Sequence, residues 1–532
     1  IVQSSFDEDP RSMVATHTSS TLDSNAGWEH IATTPNDDAT IHHPRKKRLC
    51  IGFILLCLLT LAFLAGVALI RGGFRKNGSA TDSGGGLFRN EGSSTNEYDE
   101  NSLVSGPLVG HTTYDSVKLW AYYNGDAAQN MQLVYHRLDD VNNVTGIAMI
   151  TRSVAMPPNA FNGASIVEID DLDSNTPYQY EIRVDNESVA IGRFKTAPSR
   201  ESPVEFDYLL ASCMNVKSSS GGYPVQPVWD VIRNTTEPDF ALLPGDTVYL
   251  DGEDWNWRGE IISDRVWVRN LQQRAESHFA DFIANVPTYS TWDDHDYGKN
   301  DADRHQRGKE NSLYAFKNLW ANPSYGTEDV DGVFYSFLWG DVQFLVMDNR
   351  WYRDPETESQ FGTAQKEWLF EQLKASTSTF KIIVTASDIM ARGMSQDAKD
   401  LGVVVAEHKI SGVLFNAGDI HRNEFKAKSI ENWPYKVHQI TSSGIARVWR
   451  RPFAMINVKT RLEDPVITAS FYGADSKSLD EDATWSNDPE LVCSEVVDKD
   501  RYSEHRCTEV IHLSQLTVIQ PGGKNQWSAL RP

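Results

Sequence analysis

Three short segments of this chain concentrate groups that bind metal ions or move protons. Residues 291–301, TWDDHDYGKND, place Asp293, Asp294, His295 and Asp296 side by side. Adjacent carboxylates repel unless a cation sits between them, so a bound metal is the simplest compensation, with a solvated acidic loop as the plain alternative. Residues 245–252, GDTVYLDG, carry Asp246, Tyr249 and Asp251, and a phenolate beside carboxylates is a set of hard oxygen ligands suited to a trivalent ion. Taken singly, Asp246 reads equally as a turn carboxylate and Tyr249 as a core tyrosine. Residues 416–425, NAGDIHRNEF, add Asp419 and His421, and Cys213 in ASCMN is either a packing thiol or a ligand with a lowered pKa.

Each segment follows a short apolar run that reads as a buried strand: 208–211 before Cys213, 240–243 before Asp246, 288–292 before Asp293, and 413–415 before Asp419. In an open α/β sheet, ligands sit beyond the carboxyl ends of the strands, so four such strands would deliver these side chains to one cluster. Around them the chain alternates. Residues 226–233, 264–286 and 363–374 read as helices, and 333–338, 342–347 and 380–385 as strands, with a hairpin turn at Trp339, Gly340 and Asp341. The expected fold class is a layered α/β (α+β) domain over 203–475. Before it, residues 103–198 show short alternating runs such as 116–122 and 131–136, the pattern of a small Ig-like or fibronectin-like β-sandwich. No cluster of titratable groups falls in that region, and its expected role is spacer or packing partner.

The remaining segments differ in kind. At 532 residues, 40% apolar and 11% aromatic, the chain has material for two or three folded units. Residues 1–48 are expected to be a disordered tail, 71–102 a flexible linker, and 476–532 a C-terminal extension in which Cys493 and Cys507 are spaced for a disulfide loop. Residues 49–70 carry no charge, and as a helix would rise roughly 33 Å, enough to cross a membrane core of about 30 Å. The expectation is a single transmembrane anchor, with the N-terminus cytoplasmic by an excess of one positive charge and the catalytic domain extracellular or lumenal. Acceptor sequences for N-glycosylation at Asn77, Asn143, Asn186 and Asn234 all follow that span. A net charge of -23 argues against nucleic-acid binding, which rests on neutralising phosphates with Lys and Arg. There is no Walker A sequence and no GxSxG elbow.

Taken in order, ASCMN, GDTVYLD, TWDDHD, WGD, DNRWYR (348–353) and GDIH resemble the alkaline phosphatase D, or PhoD-like, metallophosphatases, a branch of the calcineurin-like and purple acid phosphatase fold. The resemblance spans roughly residues 105–475. It implies a metallophosphoesterase sandwich and hydrolysis of a phosphate ester by a metal-activated water. It also implies two or more metal ions, Fe3+ with Ca2+, Zn2+ and Mn2+ being the alternatives. Cys213, Asp246, Tyr249 and His421 would hold the iron-like ion, with Asp246 bridging to the second. Asp294 stands where the wider superfamily has Asn in its GNH motif, His295 would assist the leaving group, and Asp419 is a further metal candidate. Arg350 is a candidate for the substrate phosphate, its alternative being a pair with Asp348. The chain departs from the superfamily in lacking the opening DxH motif and the middle histidine, for which VTASDIM offers only Asp388. Monoester and diester hydrolysis both remain open, as does a non-catalytic metal-binding surface protein.

Overall fold

The computed structural model describes residues 102–518, apart from 125–130, 139–149, 154–163, 185–186, 215–224, 251, 447–450, 474–489, 492–493 and 498–503. The described residues all fall in a compact unit of residues 95–532. Its first part is antiparallel. Strands β1 (Ser102–Thr112), β2 (Val117–Asn124), β3 (Met131–Arg137), β4 (Ile150–Ser153), β5 (Ala164–Ile169), β6 (Pro177–Val184) and β7 (Glu187–Lys195) form two sheets, ordered β1-β2-β5 and β4-β3-β6-β7. The period of two decides which side chains face inward: Tyr178, Tyr180, Ile182 and Val184 of β6 are all buried, and the Tyr178 ring stacks on Phe194 at 5.3 Å.

The second part is built on two larger sheets. One contains β8 (Glu205–Leu210), β9 (Phe240–Pro244) and β10 (Thr288–Thr291), joined in parallel. The other contains β11 (Tyr335–Trp339), β12 (Val342–Val346), β13 (Phe380–Val384), β14 (Val413–Ala417), β15 (Glu424–Lys428) and β16 (Val437–Thr441), with β12, β13, β14 and β16 parallel. Strands β17 (Phe453–Lys459) and β18 (Val466–Gly473) extend the first sheet antiparallel from β8. The expected hairpin is present: Trp339 pairs with Val342, and Gly340 sits at φ +59°, where a Cβ would meet Val204 at 2.1 Å.

The two sheets pack face to face through Tyr208, Phe240, Tyr289, Phe337, Phe344, Ile382, Leu414 and Ile456. Helices Val228–Thr235, Ser263–Arg274, Ser277–Asn285 and Lys309–Leu319 cover the outer face of the first sheet. Gly362–Ala375 and Gln396–Glu407 cover that of the second. The layers are therefore helix, sheet, sheet, helix, and the parallel strands send their carboxyl ends to one edge. The single helix expected over 264–286 is instead two. Glu276 is extended (φ -66°, ψ 121°), and its carboxylate accepts from Phe279 N at 2.8 Å, so a side-chain cap starts a second helix where periodicity alone continues the first.

Two expectations change. No helix among the described residues is long and apolar enough to cross a membrane, which overturns the single transmembrane helix and the single-pass placement drawn from it. The charge-free run at 49–70 that prompted them lies outside the described residues, as do the tail and linker around it. Hydropathy and length alone carried that reading, and a run of apolar residues is a necessary condition for a span rather than a sufficient one. Of the C-terminal pair, Cys493 is outside the described residues and Cys507 is not a free thiol. Asp251 also lies outside them, with Asn77, Asn143 and Asn186.

Candidate metal centre

Four loops leave the strand-end edge and converge. After β8 the chain turns at Cys213, after β9 at Asp246, after β10 at residues 293–296, and after β14 at Asp419 and His421. Five non-glycine residues there are held in the left-handed region: Cys213 (φ 61°), Asp246 (54°), Asp301 (58°), Asp419 (73°) and His421 (55°). That conformation costs on the order of 1 kcal/mol per residue and persists only where surrounding structure imposes it, typically at functional sites. Close backbone approach requires glycine beside two of them. A Cβ on Gly245 would meet Asp293 N at 2.6 Å, and one on Gly418 would meet Pro244 O at 2.7 Å.

Two groups of ligand atoms result. Cys213, Asp246 and His421 each offer one atom, all within 4.8 Å of one another, and so do Asp246, Asp294 and His295. Asp246 belongs to both. The Cys213 thiol lies 3.4 Å from Asp246 Oδ2, and Tyr249 OH donates to the same oxygen at 3.1 Å, while the Tyr249 ring packs on His295 at 4.2 Å. Asp419 stands differently from the others: its backbone carbonyl is 3.8 Å from Cys213 Sγ, and its carboxylate is in neither group. Asn300 donates to Asp301 Oδ2 at 2.7 Å, and both residues are exposed.

Burial makes this concentration of charge costly. The Asp246 carboxyl is pushed well above its ordinary range by desolvation and by Asp293, Asp294, Asp296 and Asp419. Burial raises Asp293 to about 8 against the opposing pull of Arg350, and Asp296 to about 6. Desolvation also raises Asp294, but Arg350, His295 and the backbone N–H of Asp301 outweigh it and hold that carboxyl below the usual value. Burial and Asp246 push the Cys213 thiol up, although Ser443 Oγ donates to its sulfur at 3.0 Å.

The residues present fit metal ions. Asp294 Oδ1 is buried with no hydrogen bond, its nearest cation being Arg350 Nη2 at 3.6 Å. Sulfur, imidazole, phenol and carboxylate together form a mixed ligand set around the first group, and the second is mainly carboxylate.

Several residues that the sequence singled out only in part support these ligands. Asp296 does not point into the centre: it accepts from the backbone N–H groups of Asp246 at 2.5 Å, Thr247 at 2.8 Å and Val248 at 3.0 Å, fixing the loop that aims Asp246. Arg350 is 2% exposed and donates through Nε to Asp293 Oδ1 at 2.5 Å, through Nη1 to Ala302 O at 3.3 Å and through Nη2 to Ser387 Oγ at 2.9 Å. Its side chain is therefore spent on Asp293, neither on Asp348 nor on an open position for phosphate. Asp348 instead accepts from Trp292 Nε1 at 2.7 Å and from the backbone N–H of Arg350 at 2.9 Å. Asp388, offered in place of the missing histidine, is bound by Lys426 Nζ at 2.6 Å. Sequence reasoning passed over Ser443, which accepts from His421 N at 2.9 Å as well as touching Cys213. Its signal was the TSSG that follows the apolar strand β16, the same strand-end rule applied to a residue type with no charge.

Comparison with known proteins bears on this edge directly. The model of the family described as PhoD-like phosphatase matches residues 208–432, which run from within β8 through β15 and hold every ligand named above. This stretch is similar to the PhoD-like phosphatases. Alkaline phosphatase D of Bacillus subtilis (strain 168) is 23% identical over 253 residues, 41% of this chain and 43% of that protein, so the chain spans less than half the length of this curated relative. The solved structure of PhoD superposes with a TM-score of 0.63 at 14% identity, covering 81% of this chain and 95% of that one. The purple acid phosphatase PPD1 from yellow lupin (Lupinus luteus) seeds superposes at 0.50 with 11% identity, covering 70% of this chain and 72% of that one. At these identities the superpositions establish the fold, and the PhoD-like stretch establishes where in the chain the family signature lies.

Proposed function

We propose that this chain is a metal-dependent phosphoester hydrolase. The observation that carries the reading is the pair of ligand groups sharing Asp246 at the strand-end edge. Cys213, Asp246 and His421, with Tyr249 beside them, would hold one ion; Asp246 and Asp294 would hold the second. The mixed sulfur, phenol and imidazole set suits Fe3+ and the carboxylate-rich set suits Ca2+. When bound, such ions lower the pKa of a water and neutralise charge on the phosphoryl oxygens. The protein's own contribution is positional. Asp296 and Ser443 fix the loops that carry Asp246 and His421, and Arg350 offsets part of the acid cluster through Asp293. His295, beside both Asp246 and Asp294, is placed to give a proton to the departing alkoxide.

Replacing Asp246 by Ala should abolish hydrolysis of an aryl phosphate, with a loss of about 10³-fold or more, while the circular dichroism spectrum stays that of the wild type. Turnover within threefold of wild type would exclude this site. Assays on aryl monoesters and diesters side by side separate the two hydrolase readings. Metal binding without turnover of either would support the non-catalytic alternative.

A further inference from the structure

Arg350 and Arg353 leave the same loop after β12 and meet different fates. Arg350 is fully committed to Asp293, Ala302 and Ser387. Arg353 is not: its Nη1 is buried and makes no hydrogen bond among the described residues. The backbone holds it firmly, since its N–H donates to Arg350 O at 3.1 Å and its carbonyl accepts from Arg304 N at 3.1 Å. The charged groups around its guanidinium are Arg350, Asp293, Asp301 and Asp294, and Asp419 in turn feels its charge. It thus stands among the acids of the centre without bonding to any of them. Asp294 Oδ2 takes Asp301 N at 2.6 Å, and Asp301 takes Asn300.

A buried guanidinium N–H with no acceptor costs about 1–3 kcal/mol, a cost that a bound ligand with an acceptor atom would remove. An oxyanion is the acceptor that suits it best in a centre of this kind, because a planar fork of donors matches paired anionic oxygens. Burial and the neighbouring Arg350 weaken the hold of Arg353 on its own proton, which makes it a stronger donor to such oxygens. We propose that Arg353, not Arg350, is the side chain that receives the non-bridging oxygens of the substrate's phosphoryl group. The assignment rests on the hydrolase reading above and names the residue that recognises phosphate within that site.

The test uses the metal-loaded protein and reads three quantities: inhibition by inorganic phosphate, turnover of an aryl phosphate, and metal content. Arg353→Gln should weaken phosphate inhibition about tenfold and lower kcat/KM about 10²-fold with metal content unchanged. Arg353→Lys, which keeps the charge but loses the fork, should recover part of both. Lys299→Gln removes an exposed cation from the neighbouring loop and should change each quantity less than about twofold, which separates contact from general field. Unchanged phosphate inhibition in Arg353→Gln overturns the proposal, and so does a loss that tracks loss of metal. Should Arg353→Gln not fold, Arg353→Lys decides: inhibition equal to wild type overturns the proposal, and weakening of about fivefold or more upholds it. A wild type that neither hydrolyses phosphate esters nor binds phosphate overturns the hydrolase reading itself, and the assignment of Arg353 with it.

Discussion

Between the sheets of the β-sandwich lie Val109, Val117, Leu119, Ile169, Ile182 and Phe194, and the buried polar groups described nearby are hydroxyls such as Thr112, Ser116 and Thr176. At the strand-end edge of the two-sheet layer, Asp246, Asp293, Asp294 and Asp296 are all buried in one loop cluster. Left-handed backbone divides the same way. In the sandwich it occurs at Asp171 and Asn175, both exposed, in turns where short polar side chains tolerate it. At the edge it falls on Cys213, Asp246 and His421, which belong to the two ligand groups, and on Asp301 and Asp419 in the same loops. One region spends its residues on burying apolar surface; the other accepts strain and charge repulsion that folding alone gives no reason to keep.

That contrast makes opposite demands on substitution. The largest effect on stability is expected where the edge compensates its own charge. Arg350→Met leaves Asp293 buried without its partner and should cost about 3–5 kcal/mol, read as the shift in urea midpoint, together with lowered turnover. In the sandwich, Ile182→Ala should cost about 2–4 kcal/mol through the cavity it leaves, with kcat per folded molecule unchanged. Activity lost in step with Ile182 packing would show that the sandwich does more than support the catalytic layers.

A smaller effect lies at the seam, where His111 of β1 touches both parts. Its backbone N–H donates to Ala321 O at 2.7 Å, its Nδ1 lies 3.3 Å from Tyr289 OH, and its ring packs edge-on to Phe337. Burial, then Lys118 and Arg200, lower its pKa from 6.5 to about 3. The imidazole is therefore neutral in the fold and takes a proton on unfolding between those values, so stability falls as pH drops below about 6.5. From pH 7 to pH 5 this amounts to about 2 kcal/mol. His111→Gln should flatten that part of the stability profile. A variant as acid-sensitive as the wild type would place the sensitivity elsewhere.

Much of this edge was legible in the sequence because one rule governs it: an apolar run of strand length that ends in a ligand-type residue. The rule located Cys213, Asp246, the 293–296 cluster and His421, and the structure brings ligand atoms from each into two small groups. It could not sort the three acids among residues 293–296. Asp294 faces the centre, Asp293 pairs with Arg350, and Asp296 binds backbone, distinctions set by the first turn of a four-residue helix rather than by residue type. Arg350 and Arg353 posed the same difficulty, because spacing does not say which of two arginines finds a carboxylate first. Ser443 was missed since a hydroxyl carries no charge signal. The split at Glu276 was hidden because a cap competes with a periodic pattern that runs on through it. The membrane anchor failed for a different reason: it rested on the length and hydropathy of 49–70 alone, and no membrane-length apolar helix is found among the described residues.

The most direct measurement is elemental analysis of the purified chain alongside the Asp246→Ala variant. The shared-carboxylate account predicts at least two equivalents of metal per wild-type chain and loss of both in the variant, because Asp246 alone belongs to both ligand groups. A wild type that stays metal-free after reconstitution, or a variant that keeps its full complement, would contradict it.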